Sequence, residues 1–138
     1  QREKEKHESY SSHTIRMVKA KIKPLLPSLR EKKRYLVYEV VSGNRFNDAL
    51  HVNKSILEAA KEFLGNLGMA RAGIITMNDQ WNADMQRGII RVNNRHVDDL
   101  KASLVFAGSI DGKETIVRSI GASGILKKAR QKYLYTAK

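Results

Sequence analysis

From Thr115 to Lys138 the chain carries six basic side chains and no acid. Inside that stretch, Gly121-Ala122-Ser123-Gly124 leads straight into Ile125-Leu126-Lys127-Lys128-Ala129-Arg130-Gln131-Lys132-Tyr133. Glycine ahead of a helix lets backbone N–H groups close on a phosphate, whose charge the helix dipole favours. Ser123 and Gly124 stand at that start, and Lys127, Lys128, Arg130 and Lys132 spread cations over the helix surface. The alternative is a solvated basic helix with an ordinary glycine lead-in; the lack of any pairing acid favours phosphate contact.

A second basic cluster, Arg30-Glu31-Lys32-Lys33-Arg34, abuts a strand-like segment, so the fold fixes its direction. Arg91 and Arg118 lie inside apolar, strand-like runs. Strand alternation opposes Arg91 to Ile90 and Val92. With those two facing helices, Arg91 reaches the other sheet face, where a phosphate, a base or an acid such as Glu39 are its possible partners.

Other chemistries find little to work with. There is no cysteine, which excludes thiol nucleophiles, disulfides and cysteine-held metal. His7, His13, His51 and His96 are scattered without ligand spacing. Asp98-Asp99 fits a helix first turn, and Asp79 and Asp84 fit a loop; either set would hold magnesium only with help from RNA phosphates. Neither a Walker loop nor a nucleophile elbow is present. No catalytic residue, metal site or protein-held cofactor is expected. Trp81 falls in a polar connection, either anchoring it or meeting a partner.

The whole chain supports the cationic theme. Its 138 residues suit one domain, with 41% hydrophobic and 29% charged side chains. The net charge is +12 and the pI about 10.1. Such an excess is eased by a polyanion, nucleic acid or an anionic membrane surface. Residues 1–34 hold eleven basic side chains against four acidic, and residues 35–138 hold fifteen against ten. No apolar run nears the roughly 20 residues of a membrane span. The Glu/Lys-rich start has no apolar secretory segment. A cytoplasmic location is expected, nuclear or nucleolar in a eukaryote, with no membrane partner.

The elements that must position these groups follow from punctuation and periodicity. Residues 1–24 read as a basic, flexible extension, 25–134 as one domain and 135–138 as a tail. Tyr35 to Val41 is rich in aromatic and β-branched residues, a central strand. Asn47 or Asp48 caps a helix whose Leu50, Ile56, Leu57, Ala60, Phe63 and Leu64 share a face with one polar interruption, Asn53; Gly65 ends it. Ala72 to Met77 gives a second strand, Asn78 to Gln86 a connection, and Gly88 to Val92 a third strand. Asn93 or Asn94 caps a second helix carrying Val97, Leu100, Leu104 and Ala107. After the Asp111-Gly112 turn, Thr115 to Ile120 makes a fourth strand. A last basic helix runs from near Ser123 to Tyr133 or Leu134, docking through Ile125, Ala129 and Tyr133 with Leu126.

The order β-α-β-β-α-β implies an α+β sandwich, ferredoxin-like and similar to an RNA-recognition fold: a four-stranded antiparallel sheet with two helices on one face, plus a C-terminal basic helix. The other sheet face is expected to be open. Strand three lacks the aromatic that sheet-face base stacking in conventional RNA-recognition domains requires.

Three segments together resemble ribonuclease P protein component 2, an archaeal and eukaryal family. They are Leu26 to Tyr35, the Gly88-Ile89-Ile90-Arg91 strand leading into Val97 to Leu104, and Gly121 to Arg130. The likeness covers residues 25–134 in order; Val92 stands where the family often has cysteine. The resemblance implies a non-catalytic subunit that binds and braces the catalytic domain of ribonuclease P RNA, the RNA performing magnesium-dependent removal of the 5′ leader from precursor transfer RNA. It also implies a partner, the TIM-barrel-like component 3, in a heterotetramer, with precursor transfer RNA nearby and magnesium held on the RNA. The RNA-facing role falls on Arg30, Lys32, Lys33 and Arg34, on Arg91 and Arg118, and on Ser123, Gly124, Lys127, Lys128, Arg130 and Lys132. Rival assignments are a ribosomal or general RNA-binding protein of this fold, a protein-interaction module, or an acylphosphatase-like enzyme. For the last, Ser42-Gly43-Asn44-Arg45 supplies only a fragment of the phosphate loop.

Overall fold

A computed structural model describes residues 32–136. The expected extension over 1–24, the domain's first residues 25–31 including Arg30, and residues 137 and 138 of the tail lie outside the described residues.

Strand β1 (Lys33–Ser42) is the central strand of the sheet. Its alternation buries Leu36, Tyr38 and Val40 on one side, while Val37 is fully buried on the other. A strand apolar on both faces must be covered on both. It pairs antiparallel with β3 (Arg87–Asn93) and with β5 (Lys113–Ser123). Strand β2 (Ile75–Asn82) adds to β3, and the two-residue β4 (Ser109–Ile110) to β5, giving the order β2-β3-β1-β5-β4. The short β4 extends the four strands expected from the sequence. It forms because Asp111 and Gly112 take φ of 53° and 74°, the left-handed pair that closes a tight hairpin.

The first sheet face carries helix α1 (Leu50–Ala72) and, after a 3-10 turn at Asn94–His96, helix α2 (Val97–Leu104). Leu36, Tyr38, Val40, Ile90, Val92 and Val117 meet Val52, Ile56, Leu100 and Leu104 there. Asn53, the polar break in the helix's apolar face, accepts from Tyr38 Oη at 2.5 Å and donates to Asn78 at 2.6 Å. The sequence ended α1 at Gly65. That residue does break the helix, with φ 71°, but the chain resumes helical turns to Ala72, and Gly73 (φ 58°, ψ 40°) makes the left-handed cap. Two glycines within this second part, Gly65 and Gly68, weaken its periodicity.

Trp81 belongs to β2 rather than to a loop. Its Nε1 donates to Phe46 O at 3.2 Å, and its ring lies 6.3 Å from that of Tyr38. It is a core anchor.

The expectation of an open second face is corrected. Helix α3 (Leu126–Ala129), continuing as a π turn over Arg130–Leu134, lies across it. Ala129 and Leu134 are fully buried against Val37 and Ile89, with Leu126, Tyr133, Tyr35 and Met77 around them. The open part of this face is the far end, where Val41 and Ile116 pair and stay exposed.

Candidate nucleic-acid interface

The antiparallel register brings the sequence-distant basic clusters together. Tyr35 pairs with Ser123 on one side and Arg91 on the other, so the start of β1, the end of β5 and Arg91 share one end of the sheet. There Lys32 and Arg34 are exposed. Arg34 Nε donates to Asn94 Oδ1 at 2.8 Å, Lys33 Nζ donates to Asn93 Oδ1, and Asn94 N donates to Lys32 O at 2.7 Å. These bonds tie Lys32, Lys33 and Arg34 to Asn93 and Asn94 at the end of β3.

Arg91 emerges on the second face, opposed to Ile90 and Val92 as alternation requires. Its Nε is buried and meets no hydrogen-bond partner among the described residues. Glu39 is not its partner. That carboxylate instead accepts from Arg87 Nε at 2.9 Å and from Arg118 Nε at 2.9 Å. Arg118 is therefore an exposed but paired cation, its side chain 60% accessible. Burial alone would raise the pKa of Glu39, but the hydrogen bonds and charges of Arg87 and Arg118 outweigh it and hold the carboxyl below its ordinary value.

Arg87 is the residue that sequence reasoning missed. It is 4% exposed. Beyond Glu39, its Nη1 donates to Tyr133 O and to Thr136 O, each at 2.7 Å, and Asn82 Nδ2 donates to Leu134 O at 2.7 Å. The last carbonyls of a helix have no partners within it, so these donors cap the C-terminal turn onto the sheet. The available signal was Ile89: a second apolar residue beside Arg87 and Arg91 means that their face is covered.

The loop before α3 differs from expectation. Ser123 is still strand, and the helix begins at Leu126 because pairing with β1 runs on to Tyr35. Gly121 serves packing, since a Cβ there would run into the ring of Tyr133. Ser123 Oγ accepts from Ile125 N at 3.2 Å, and Gly124 is exposed. Ile125, expected to dock, is 52% exposed; Leu134 fills the buried place, because the π turn rotates the docking stripe. Lys127, Lys128, Arg130 and Lys132 are all exposed. None of the four makes an ion pair among the described residues.

The fragment offered for an acylphosphatase loop is otherwise engaged. Arg45 Nη2 donates to Ala83 O and, at 3.1 Å, to Asp84 O, holding the β2–β3 turn. Among the described residues, no group of three or more His, Asp or Glu gathers as metal ligands, and no helix is long and apolar enough to cross a membrane.

Comparison with known proteins gives a consistent outcome. Ribonuclease P protein component 2 of Pyrococcus furiosus is 37% identical over 112 residues, covering 81% of this chain and 91% of that protein. The protein of the same name from Thermococcus kodakarensis is 34% identical over 117 residues, covering 85% and 95%. That from Methanosarcina acetivorans is 32% identical over 113 residues, covering 82% of each. Among solved structures, a chain of yeast ribonuclease MRP, determined by cryo-electron microscopy, matches with a TM-score of 0.52 at 17% identity, over 74% of this chain and 86% of that one. At that identity the likeness speaks to fold. The pattern that defines the Rpp14/Pop5 family matches residues 34–134, from the basic start of β1 to the buried Leu134. This chain belongs to the Rpp14/Pop5 family.

Proposed function

We propose that the chain is a protein subunit of ribonuclease P that binds the enzyme's RNA, and that the RNA performs the magnesium-dependent cleavage. The observation that carries this is the gathering of cations at one sheet end: Lys32, Lys33, Arg34 and Arg91 beside the start of a pinned helix bearing Lys127, Lys128, Arg130 and Lys132. Cations on a rigid support gain affinity by releasing counterions from phosphates, and they do so without choosing a base sequence. Held at fixed spacing, they let RNA helices approach each other with fewer magnesium ions. The protein thus braces the catalytic domain of the RNA, magnesium stays on the RNA, and precursor transfer RNA binds the assembled particle. Family membership supports component 3 as the protein partner, in a heterotetramer.

Reconstitution tests the proposal. A Lys127→Glu/Lys128→Glu/Lys132→Glu variant, shown folded by circular dichroism, loses RNA binding and raises the magnesium needed for 5′-leader removal. Unchanged activity of that variant at low magnesium would exclude the helix from the RNA-binding surface. Retention of component 3 in a pull-down separates this function from that of a general RNA-binding protein of the same fold.

A further inference from the structure

The C-terminal turn holds a feature that charge alone does not explain. Leu126, Lys127, Arg130, Gln131 and Tyr135 line a groove of about 490 Å³ whose walls are mainly apolar. Its aromatic wall, Tyr135, is 54% exposed, and the Arg130 guanidinium lies over that ring, 5.7 Å from its centre. In an ordinary α-helix, residues five apart are separated by about 140° beyond a full turn and do not meet. Here the π turn, with Tyr135 N donating to Arg130 O at 3.2 Å, puts them on one side. Such turns recur at functional sites.

We propose that this groove is a subsite for one unpaired RNA nucleotide. The proposal rests on the RNA-binding function above and names what this part of the surface takes. The occupant is chosen by chemistry. A flat guanidinium–phenol platform suits the face of a base, which stacks on aromatic rings and arginine alike. Gln131 offers an amide donor and acceptor to the base edge. Lys127 supplies the cation for the adjoining phosphate. The lining holds two cations, Lys127 and Arg130, and no acid, so the groove complements an anion. The sheet lacks a base-stacking aromatic pair; the C-terminal turn supplies the aromatic elsewhere.

The test uses the full chain and two RNA hairpins, one with a single bulged 2-aminopurine and one fully paired. The wild type binds the bulged hairpin more tightly and changes the 2-aminopurine emission. Tyr135→Ala weakens that binding by about five- to a hundredfold, the range of one lost base–aromatic stack, and leaves the paired hairpin unaffected. Tyr135→Phe retains binding. Arg130→Lys keeps the charge but loses the plane, and gives a partial loss; it serves as the second variant should Tyr135→Ala melt early. Equal wild-type affinity for both hairpins, or an equal loss on both in Tyr135→Ala, overturns the subsite while leaving the RNA-binding function standing. Binding to neither hairpin overturns both. A photocrosslinker at position 135 in the assembled particle that captures protein instead of RNA overturns the subsite in favour of a protein contact.

Discussion

Glu39 and Arg87 face each other across the β1–β3 register and join at 2.9 Å, with side chains only 13% and 5% accessible. The pair does more than close a ladder rung. Because Arg87 also holds Tyr133 O and Thr136 O, one half-buried carboxylate orients the buried guanidinium that fixes the cationic helix to the sheet. Removing Arg87 strands Glu39 beside Arg118 alone and leaves helix carbonyls unpaired. Arg87→Ala is expected to cost about 1–3 kcal/mol, because it leaves a half-buried carboxylate and two carbonyls short of a donor. Arg118→Ala, which removes an exposed partner, costs under about 1 kcal/mol. Urea denaturation of the two variants gives the comparison, and hydrogen exchange over 126–134 shows the helix loosening only in the first.

The same pair sets an acid limit. Glu39 has its folded pKa below its ordinary value, so its contribution to stability is present above the unfolded pKa of about 4.3. It is lost as pH falls through the lowered folded value. Glu39→Gln is expected to be less stable than wild type at pH 7, with the gap closing below pH ~4. Denaturation midpoints across pH 3–7 check the sign; a gap that widens on acidification would reverse the assignment.

How much of this was legible in the residues depends on range. Tyr35 to Val41 declared a central strand because apolar and β-branched side chains fall on both faces, and the Asp111-Gly112 turn was local chemistry. The face reached by Arg91 followed from alternation. The Glu39–Arg87–Arg118 network did not, since it needs a register that joins positions 48 and 79 residues apart. The end of α1 was misplaced because a glycine with positive φ can break a helix as well as finish it. The π turn leaves no sequence period, so neither the burial of Leu134 nor the meeting of Arg130 and Tyr135 was foreseeable. The exposed lysines were visible from the absence of acids; the cap that fixes their helix was not.

Gly88 and Gly121 distinguish a tight core from a tight dock. A Cβ on Gly88 would run into the phenol of Tyr38, and one on Gly121 into the ring of Tyr133. Tyr38 is fully buried and tied to Asn53, so it cannot yield. Tyr133 is half-buried on a short helix and can lift. Gly88→Ala is expected to cost about 1–3 kcal/mol, typical of overpacking, and to shift the emission of Trp81 through its contact with Tyr38. Gly121→Ala costs less in global stability, but increases hydrogen exchange over the C-terminal turn.

Salt dependence discriminates between cations that meet phosphate and cations that hold the fold. Each phosphate neutralised adds about 0.9 to the slope of log affinity against log salt for a duplex. Lys128 is exposed and makes no ion pair among the described residues, so Lys128→Ala is expected to lower the slope for the ribonuclease P RNA by about one, whatever the base sequence. Arg118 already shares its charge with Glu39, and leaving for a phosphate would break two hydrogen bonds. Arg118→Ala should therefore move the slope by clearly less than one. Equal slopes for the two variants would mean that the Glu39 pair opens on binding, making Arg118 a phosphate contact as well.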